Sequence, residues 1–285
     1  MNVGQAVQTL ADRFHRAGIE SARLDARLLV AHVLGISPQQ VFGYPENHLT
    51  ADEVSSLEQV SKRRADREPL ARITGEKEFW SLTFHISDET LIPRPETETL
   101  IDAVLERFPD KSQPLRILDL GTGSGCLLVS LLHELTGASG VGVDISEPAL
   151  QTARTNARHL GVENRSRFVQ NDWGRSLGRK CSGQFDIIVS NPPYIVTATI
   201  DRLQREVSAY EPRQALAGGE DGLEAYRKLI PDVCSLLGGN GFLALEIGIG
   251  QATDVQALGI TEGLTPAGCR QDLAGIDRCV LFDRP

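Results

Sequence analysis

The sequence predicts an α/β protein in which a doubly wound sheet follows a small helical bundle. Two patterns of apolar spacing along the 285 residues carry this prediction. Up to about residue 72, apolar side chains recur every three or four positions, which is typical of helices. From Leu115 onward, short apolar runs alternate with helical segments, which is typical of parallel strands joined by crossover helices.

Residues 1–72 predict a helical bundle, with short turns over residues 38–42. Apolar residues share one face of a first helix, and a second helix repeats the spacing up to Gly35, a typical helix end. Thr50 and Glu53 form a capping box that opens a third helix toward Arg67. The predicted faces are Val3, Ala6, Val7, Leu10 and Phe14 in the first helix, and Leu24, Leu28, Ala31 and Leu34 in the second.

Residues 73–92 predict a β-hairpin linker, because apolar and polar side chains alternate between Phe79 and Ile86. Residues 93–285 predict the α/β domain, which begins with a proline turn feeding an acidic helix start. Within that turn, Arg94 and Glu96 can form a salt-linked corner or a pocket wall, and we favour the corner. The predicted strands are 116–120, 140–143, 167–170, 185–190, 242–247 and 279–282.

Composition narrows the class of protein. Apolar residues make up 41% of the chain, and no segment approaches the roughly 18 continuous apolar residues of a membrane helix. The formal net charge of −9 disfavours a nucleic-acid partner, because phosphate binding usually needs a basic surface. The five cysteines lack metal-ligand spacing, so we predict reduced thiols and no metal site. Reduced thiols are typical of a reducing compartment, and we therefore predict a cytoplasmic protein without membrane contact.

A glycine-rich loop lies between a predicted strand and a predicted helix, at Gly121, Thr122, Gly123, Ser124 and Gly125. Glycines there allow a tight turn and let a ligand approach the backbone. A dinucleotide loop places its third glycine where this chain has Cys126. The earlier third glycine suits S-adenosylmethionine, which carries no phosphate. The alternative is a purely structural turn.

Acidic and aromatic residues follow the next two strands. Asp144 ends the second strand, where a carboxylate can accept hydrogen bonds from both ribose hydroxyls or can simply be an exposed strand end. Asp172 and Trp173 follow the third strand. The carboxylate can face the exocyclic amine of adenine and the indole its ring, although Trp173 can equally be a structural core residue. We predict all three as cofactor-binding residues.

The strand 185–190 runs directly into Asn191-Pro192-Pro193-Tyr194, which a parallel sheet places at its carboxyl edge. An amide nitrogen is a poor nucleophile, and two acceptors for its hydrogens can hold it and increase its lone-pair character. The Asn191 side chain and the Pro192 carbonyl can be those acceptors, with Pro193 fixing the turn. Tyr194 can cover the flat amide and exclude water. The alternative is a proline turn closed by a surface tyrosine.

Beyond these motifs, several longer runs make the chain resemble the peptide chain release factor glutamine methyltransferases, over nearly its whole length. The runs are Leu91 to Glu98, Glu211 to Leu216, Gly218 to Leu223, and Leu245 to Gly248. The resemblance implies the Rossmann-like fold of class I S-adenosylmethionine methyltransferases. It also implies methylation of the glutamine in a Gly-Gly-Gln motif of release factors.

The same resemblance implies roles for particular parts of the chain. The N-terminal bundle would bind the release factor, and Asn191, Pro192, Pro193 and Tyr194 would hold the glutamine. Gly121 to Gly125, Asp144, Trp173 and Asn191 would line the S-adenosylmethionine pocket. We expect a monomer. The role of residues 211–223 is not derivable from the sequence.

Three other functions stay open at this point. A glutamine methyltransferase acting on a ribosomal protein would share every residue named above. A DNA adenine amino-methyltransferase uses the same tetrapeptide but is expected to carry a basic target-recognition region. A non-catalytic binding protein with this fold is disfavoured by the intact Asn191 and Asp144.

Overall fold

The computed structural model describes residues 1–175, 177 and 184–285. The chain forms two compact units. The helical unit comprises Met1–Glu76 and Gln204–Tyr210, and the sheet unit comprises Lys77–Leu203 and Glu211–Pro285. Among the described residues, none of the helices combines the length and the apolar character that a membrane crossing needs. Cys126, Cys234, Cys269 and Cys279 are free thiols, and Cys181 lies outside the described residues.

The elements follow one another along the chain as a helical stretch and then as alternating strands and helices. The helices are α1 (Val3–Arg16), α2 (Ala22–Leu34), α3 (Pro38–Gly43), α4 (Ala51–Ala65), α5 (Leu70–Thr74), α6 (Glu98–Arg107), α7 (Cys126–Glu134), α8 (Glu147–His159), α9 (Arg205–Ser208), α10 (Arg213–Leu216), α11 (Glu224–Leu236) and α12 (Ala252–Thr261). The strands are β1 (Glu76–Phe79), β2 (Leu82–His85), β3 (Arg116–Leu120), β4 (Ser139–Asp144), β5 (Ser166–Gln170), β6 (Phe185–Ser190), β7 (Leu237–Glu246), β8 (Thr265–Gln271) and β9 (Asp277–Asp283).

The first face predicted for the helical unit is largely confirmed, and the second is wrong in part. In α1, Val3, Ala6, Leu10 and Phe14 are buried. In α2, Leu24 is 51% exposed, whereas Ala26, Leu29 and Val30 are fully buried. Small alanines at Ala22 and Ala26 share a face with Leu29 and Val30, and they let neighbouring helices approach closely. The leucine spacing alone could not reveal that face.

Charged residues in the helical unit form close ion pairs, one of which is buried. Arg64 Nε lies 2.7 Å from Asp25 Oδ2, and both side chains are only 7% exposed. Glu206, from the short helix α9, accepts from Arg67 Nε at 2.7 Å and lies 3.4 Å from Arg64 Nη1. The predicted capping box is confirmed, since Thr50 Oγ1 accepts from the backbone N–H of Glu53. The helix it opens ends at Ala65, two residues before the predicted Arg67.

Within the described residues, the main sheet has seven strands in the order β5-β4-β3-β6-β7-β9-β8. The pairs from β5 to β7 are parallel, as predicted, but β9 runs antiparallel to β7 and β8 antiparallel to β9. The connection 272–276 is too short for a crossover, so the last two strands form a hairpin. Strand β8 was not predicted, because its residues are almost all exposed and include Pro266 and Gly268.

The hairpin β1–β2 turns at Trp80 and Ser81, which both have positive φ, at 52° and 57°. Two successive positive φ angles match the twist that antiparallel strands require in a two-residue turn. The Trp80 N–H donates to Glu98 Oε1 at 2.8 Å. This contact ties the turn to the start of α6.

Candidate active site

The strand order reverses between β3 and β6, where parallel α/β sheets usually bind ligands. Leu120 and Ser190 are register partners at the carboxyl ends of these strands. Ser190 Oγ donates to Leu120 O at 2.6 Å across this end. The glycine loop after β3 and the tetrapeptide after β6 therefore leave the sheet side by side.

Hydrogen bonds to the neighbouring strand hold the glycine loop. Gly121 and Gly123 have φ angles of 74° and 54°, which side chains rarely adopt. The backbone N–H groups of Gly121 and Thr122 both donate to Val143 O, at 2.8 and 2.9 Å. The loop is thus fixed to the end of β4 before any ligand binds.

Asp144, at the end of β4, anchors the same loop by its side chain. Its Oδ2 accepts from the Gly123 N–H at 2.8 Å, and its Oδ1 accepts from the Ser146 N–H at 2.9 Å. A carboxylate oxygen has more than one acceptor site, so both oxygens can still accept from ligand hydroxyls. The predicted ribose-binding residue therefore also shapes the loop.

Two buried side chains to which the sequence assigned no role support the loop from behind. Asn156 Nδ2 donates to Ser124 O at 2.8 Å and to His85 O at 3.0 Å, while its Oδ1 accepts from the His85 N–H at 2.8 Å. Asp119, fully buried in β3, accepts from the Thr122 hydroxyl at 2.6 Å. Burial raises the pKa of Asp119 to about 7, although the Thr122 hydrogen bond lowers it.

The Asn191 side chain has a defined orientation. Its Nδ2 donates to Thr97 Oγ1 at 3.2 Å. Thr97 is 2% exposed and ends the short helical turn Pro95–Thr97 before α6. Because the nitrogen is directed at Thr97, the Oδ1 of Asn191 points away from that hydroxyl and can accept a hydrogen bond from a substrate.

Tyr194 reaches a buried carboxyl at the end of β7. Its hydroxyl donates to Glu246 Oε1 at 3.1 Å, and Glu246 is 1% exposed. Burial raises the pKa of Glu246 to about 7, whereas the nearby hydroxyls of Thr97 and Tyr194 lower it. The Tyr226 hydroxyl donates to the Glu246 backbone carbonyl at 2.8 Å. Thr97 and Glu246 belong to the runs Leu91 to Glu98 and Leu245 to Gly248, but the sequence assigned neither of them a place beside the tetrapeptide, because both lie far from it along the chain.

The segment 211–223 supports the tetrapeptide. The Gly218 N–H donates to Ile195 O at 2.8 Å, and the Ile195 N–H donates to Leu216 O at 3.0 Å. A Cβ atom at Gly218 would lie 2.8 Å from the Tyr194 backbone, and one at Gly222 only 2.5 Å from Tyr194 O. Glycine at these two positions lets the segment pack directly on the backbone of Tyr194.

Arg94 forms a structural corner, as favoured from the sequence, but its partner is not Glu96. Arg94 Nη2 lies 2.7 Å from Glu211 Oε1, and the Glu211 side chain is completely buried. The Ile92 N–H also donates to Glu211 Oε2, at 3.2 Å. This buried carboxylate fixes the start of the segment 211–223 against residues 92–94.

These elements surround a cavity of about 430 Å³, which is within the usual range for small-molecule sites. Gly125, Pro192 and Tyr194 do not line it: Gly125 precedes α7, Pro192 is buried, and Tyr194 reaches Glu246. The predicted residues that line the cavity are Gly121, Thr122, Gly123, Ser124, Asp144, Asp172, Trp173, Asn191 and Pro193.

The charges around the cavity favour a ligand without phosphate. Among the described residues that line the cavity, Lys228 is the basic side chain, and its charge is paired with Glu224, whose Oε1 lies 2.6 Å from Lys228 Nζ. Trp173 lies against the glycine loop, with its ring 3.6 Å from where a Cβ of Gly121 would be. The residues at 1–175, 177 and 184–285 contain no cluster of three or more His, Cys, Asp or Glu side chains arranged to hold a metal ion.

Comparison with known families gives two matches that together span most of the chain. Residues 5–75 match the PrmC N-terminal domain, and residues 111–247 match a methyltransferase domain. The release factor glutamine methyltransferase of Rhodospirillum rubrum is 45% identical over 282 residues, which cover 99% of this chain and 85% of that protein. The protein of the same name from Bradyrhizobium diazoefficiens is 45% identical over 287 residues, covering 98% of this chain and 94% of the relative.

Solved structures agree with the Rossmann-like methyltransferase fold expected from the resemblance. The ribosomal protein L11 methylase from Lactobacillus delbrueckii subsp. bulgaricus superimposes with a TM-score of 0.50 and 21% identity. The superposition covers 68% of this chain and 81% of that protein. At this identity the likeness concerns the fold alone.

Proposed function

Because this chain belongs to the release factor glutamine methyltransferase family, we propose that it methylates peptide chain release factors, using S-adenosylmethionine as donor. The acceptor is the side-chain amide nitrogen of the glutamine in their Gly-Gly-Gln motif. The observation that carries the proposal is the oriented Asn191 amide, which lines the same cavity as the glycine loop and Asp144.

The residues around the cavity fit S-adenosylmethionine. Gly121 to Ser124 would face it with backbone and small side chains, and Asp144 would accept from its ribose hydroxyls. Asp172 and Trp173 would contact the adenine. The absence of an unpaired basic side chain among the described lining residues suits a nucleoside without phosphate. When bound, this donor supplies an electrophilic methyl group on a sulfonium.

The protein's own part is to hold and expose the amide nitrogen. Asn191 Oδ1 accepts one amide hydrogen and the Pro192 carbonyl accepts the other, with Pro193 keeping both acceptors on one side of the turn. Tyr194 excludes water from the amide plane. Holding the nitrogen in line with the donor's methyl group then supplies most of the rate enhancement, and no strong base is required.

We further propose that residues 1–72 bind the release factor, that residues 73–92 are a linker, and that residues 93–285 form the methyltransferase domain. The enzyme is a cytoplasmic monomer in this proposal, and it needs neither a metal ion nor direct contact with nucleic acid.

A labelling experiment tests the proposal. The purified chain is incubated with S-adenosylmethionine tritiated in the methyl group and, in separate reactions, a release factor, a ribosomal extract and duplex DNA. Label is expected on the release factor and should disappear when its Gly-Gly-Gln glutamine is replaced. Asn191→Ala should lower the rate about a thousandfold, as for the loss of one transition-state hydrogen-bonding group. Asn164→Ala, at an exposed asparagine, is the matched control.

The separate reactions identify the acceptor if the proposal is wrong. Label on a ribosomal protein would keep the amide chemistry and replace the substrate. Label on DNA would mean that the tetrapeptide binds the exocyclic amine of adenine and not a glutamine amide. No label in any reaction would remove the enzymatic function itself.

A further inference from the structure

Gln251, the residue directly before α12, joins three segments of the sheet unit beside the tetrapeptide. We propose that it is a positioning residue for the acceptor amide, because its side chain fixes Tyr194 and ties it to the segment 211–223. This inference rests on the proposed function, since it concerns how the turn that holds the glutamine keeps its shape. Gln251 is partly buried and does not line the cavity, so it acts through its partners.

The nitrogen of the Gln251 side chain donates to two backbone carbonyls. Its Nε2 lies 3.1 Å from Tyr194 O and 3.2 Å from Gly222 O. A primary amide carries two N–H groups on one nitrogen, so each carbonyl can take one of them. The two bonds hold the last residue of the tetrapeptide to the segment 211–223. The residues of that segment that line the cavity are Pro212, Gln214, Ala215 and Ala217.

The oxygen of the same amide holds the loop that follows β7. Gln251 Oε1 accepts from the Gly248 N–H at 2.9 Å. A Cβ atom at Gly248 would lie 3.0 Å from Tyr194 Cδ2, so this loop packs directly on the tyrosine ring. Gln251 therefore fixes Tyr194 at two points, at its carbonyl directly and at its ring through Gly248.

The three partners of Gln251 call for an amide side chain. Two backbone carbonyls need donors and one backbone N–H needs an acceptor, which a single amide can supply together. The same partners fix which end of the amide is which, because an oxygen in place of Nε2 would face two carbonyl oxygens. A carboxylate at this position can accept from Gly248 but can donate to neither carbonyl.

The two ends of the tetrapeptide are held by different parts of the chain. Asn191 Nδ2 donates to Thr97 Oγ1 at one end, and Gln251 donates to Tyr194 O at the other. The prolines between them have restricted φ angles, so a shift of Tyr194 is passed on to the Pro192 carbonyl, an acceptor in the proposed function. Loss of Gln251 should therefore misalign this acceptor and leave Asn191 in place.

The donor side of the cavity has supports of its own. Val143 O accepts from two N–H groups of the glycine loop, and Asp144 Oδ2 accepts from the Gly123 N–H. Because these contacts do not pass through Gln251, its loss should slow methyl transfer and leave the affinity for S-adenosylmethionine near that of the wild type.

A simpler role for Gln251 would be confined to the turn before α12. Its backbone N–H donates to Gly248 O at 3.2 Å, and its side chain accepts from the Gly248 N–H, so both bonds close this turn. Such a role needs only the oxygen end of the side chain. The two bonds from the nitrogen end therefore distinguish a positioning role from a purely local one.

The test compares two substitutions of similar length. Gln251→Glu keeps an acceptor for the Gly248 N–H and loses both donors, whereas Gln251→Met loses all three hydrogen bonds. We expect kcat for release factor methylation to fall about tenfold to a hundredfold in both, as for a modest misplacement of the reacting group. The Kd for S-adenosylmethionine, measured by calorimetry, should stay within about twofold of wild type. Gln256→Glu, the same change further along α12, is the matched control and should keep the wild-type kcat.

Three kinetic results would overturn the inference. Wild-type kcat in both variants would mean that the contacts do not matter for transfer. Wild-type kcat in Gln251→Glu with a loss in Gln251→Met would confine Gln251 to the turn before α12. A loss of donor binding equal to the loss of kcat would mean that Gln251 supports the whole domain and not the acceptor amide.

A measurement on the wild-type chain needs neither a variant nor a substrate. In a chain with nitrogen-15-labelled glutamine, NMR follows the exchange of side-chain amide hydrogens with water. Both hydrogens of Gln251 should exchange at least about tenfold more slowly than those of the exposed Gln151, because each is bonded to a carbonyl. Equal exchange rates would overturn the inference. If the wild-type chain labels no release factor, the proposed function fails, while the exchange rates still decide whether Gln251 holds the two carbonyls.

Discussion

The helical unit and the candidate site of the sheet unit treat buried carboxylates in different ways. In the helical unit, the buried carboxylate of Asp25 has a guanidinium partner at 2.7 Å. In the sheet unit, Asp119 and Glu246 are equally buried, but their hydrogen bonds come from hydroxyls. A buried carboxylate without a cationic partner is unfavourable, so Asp119 and Glu246 destabilise the sheet unit at its candidate site. The paired Asp25 does not destabilise the helical unit in this way. Glu211, which has Arg94 as partner, shows that the sheet unit pairs its other buried carboxylate.

The largest expected effect concerns the paired charges. Arg64→Met should lower the free energy of unfolding by about 3–5 kcal/mol, because it leaves Asp25 buried and unpaired. The double variant Asp25→Leu/Arg64→Met should recover most of that loss. Urea unfolding of the full chain at pH 7 measures both. A loss below about 1 kcal/mol in Arg64→Met would contradict the role assigned to the pair.

At Glu246 we expect a smaller effect on the free energy of unfolding, and here neutralising the carboxylate should stabilise the protein. Its pKa rises from 4.5 to about 7 on folding, so between these values the folded chain keeps a proton that the unfolded chain has released. Stability from this group is therefore present below pH 4.5 and is lost as the pH rises through 7, by about 3 kcal/mol in all.

Glu246→Gln should remove this loss. The variant should be more stable than wild type at pH 8 and nearly equal to it at pH 4.5, as measured by urea unfolding at both values. Equal stability of the two proteins at pH 8 would mean that the carboxylate is compensated by its surroundings. A buried carboxylate would then be no less favourable at the candidate site than in the helical unit.

The smallest effect tests whether a pH-dependent stability is confined to the buried carboxyls or extends to a neutral buried polar group of the sheet unit. Asn156 is neutral, fully buried and bonded at three positions. Asn156→Leu should lower the free energy of unfolding by about 2 kcal/mol, since it leaves buried backbone groups unsatisfied. The loss should be the same at pH 5 and pH 8. Thr155→Ala, exposed on the same helix, is the control, and a loss that changes with pH would show that Asn156 is coupled to a titrating group.

The predicted site residues that the structure brings to one cavity are those that local sequence patterns single out. The glycine loop and the tetrapeptide are contiguous, and each follows a strand whose apolar run is recognisable. Asp144 could be found because it ends a strand next to the loop strand. Parallel pairing of β3 with β4 and β6 then brings Gly121 to Ser124, Asp144, Asn191 and Pro193 to one cavity.

The supporting contacts could not be predicted, because they join distant parts of the chain. Thr97 and Glu246 lie 94 and 52 positions from their partners Asn191 and Tyr194. Thr97 belongs to a run that carries the family resemblance, but no local pattern shows which side chain it contacts. The reversed direction of β9 and the inclusion of Gln204–Tyr210 in the helical unit also depend on packing that local periodicity does not report.

The two glycines behind Tyr194, Gly218 and Gly222, limit which positions of the segment 211–223 can vary. No side chain fits at Gly218 or Gly222 without displacing the tetrapeptide backbone, whereas Gln214 and Ala215 of the same segment face the cavity. The face of the segment that packs on Tyr194 thus has no room for a larger residue, whereas the face toward the cavity can accept other side chains. Substitutions are therefore expected to be tolerated at Gln214 and Ala215, and to displace the backbone of Tyr194 at Gly218 and Gly222.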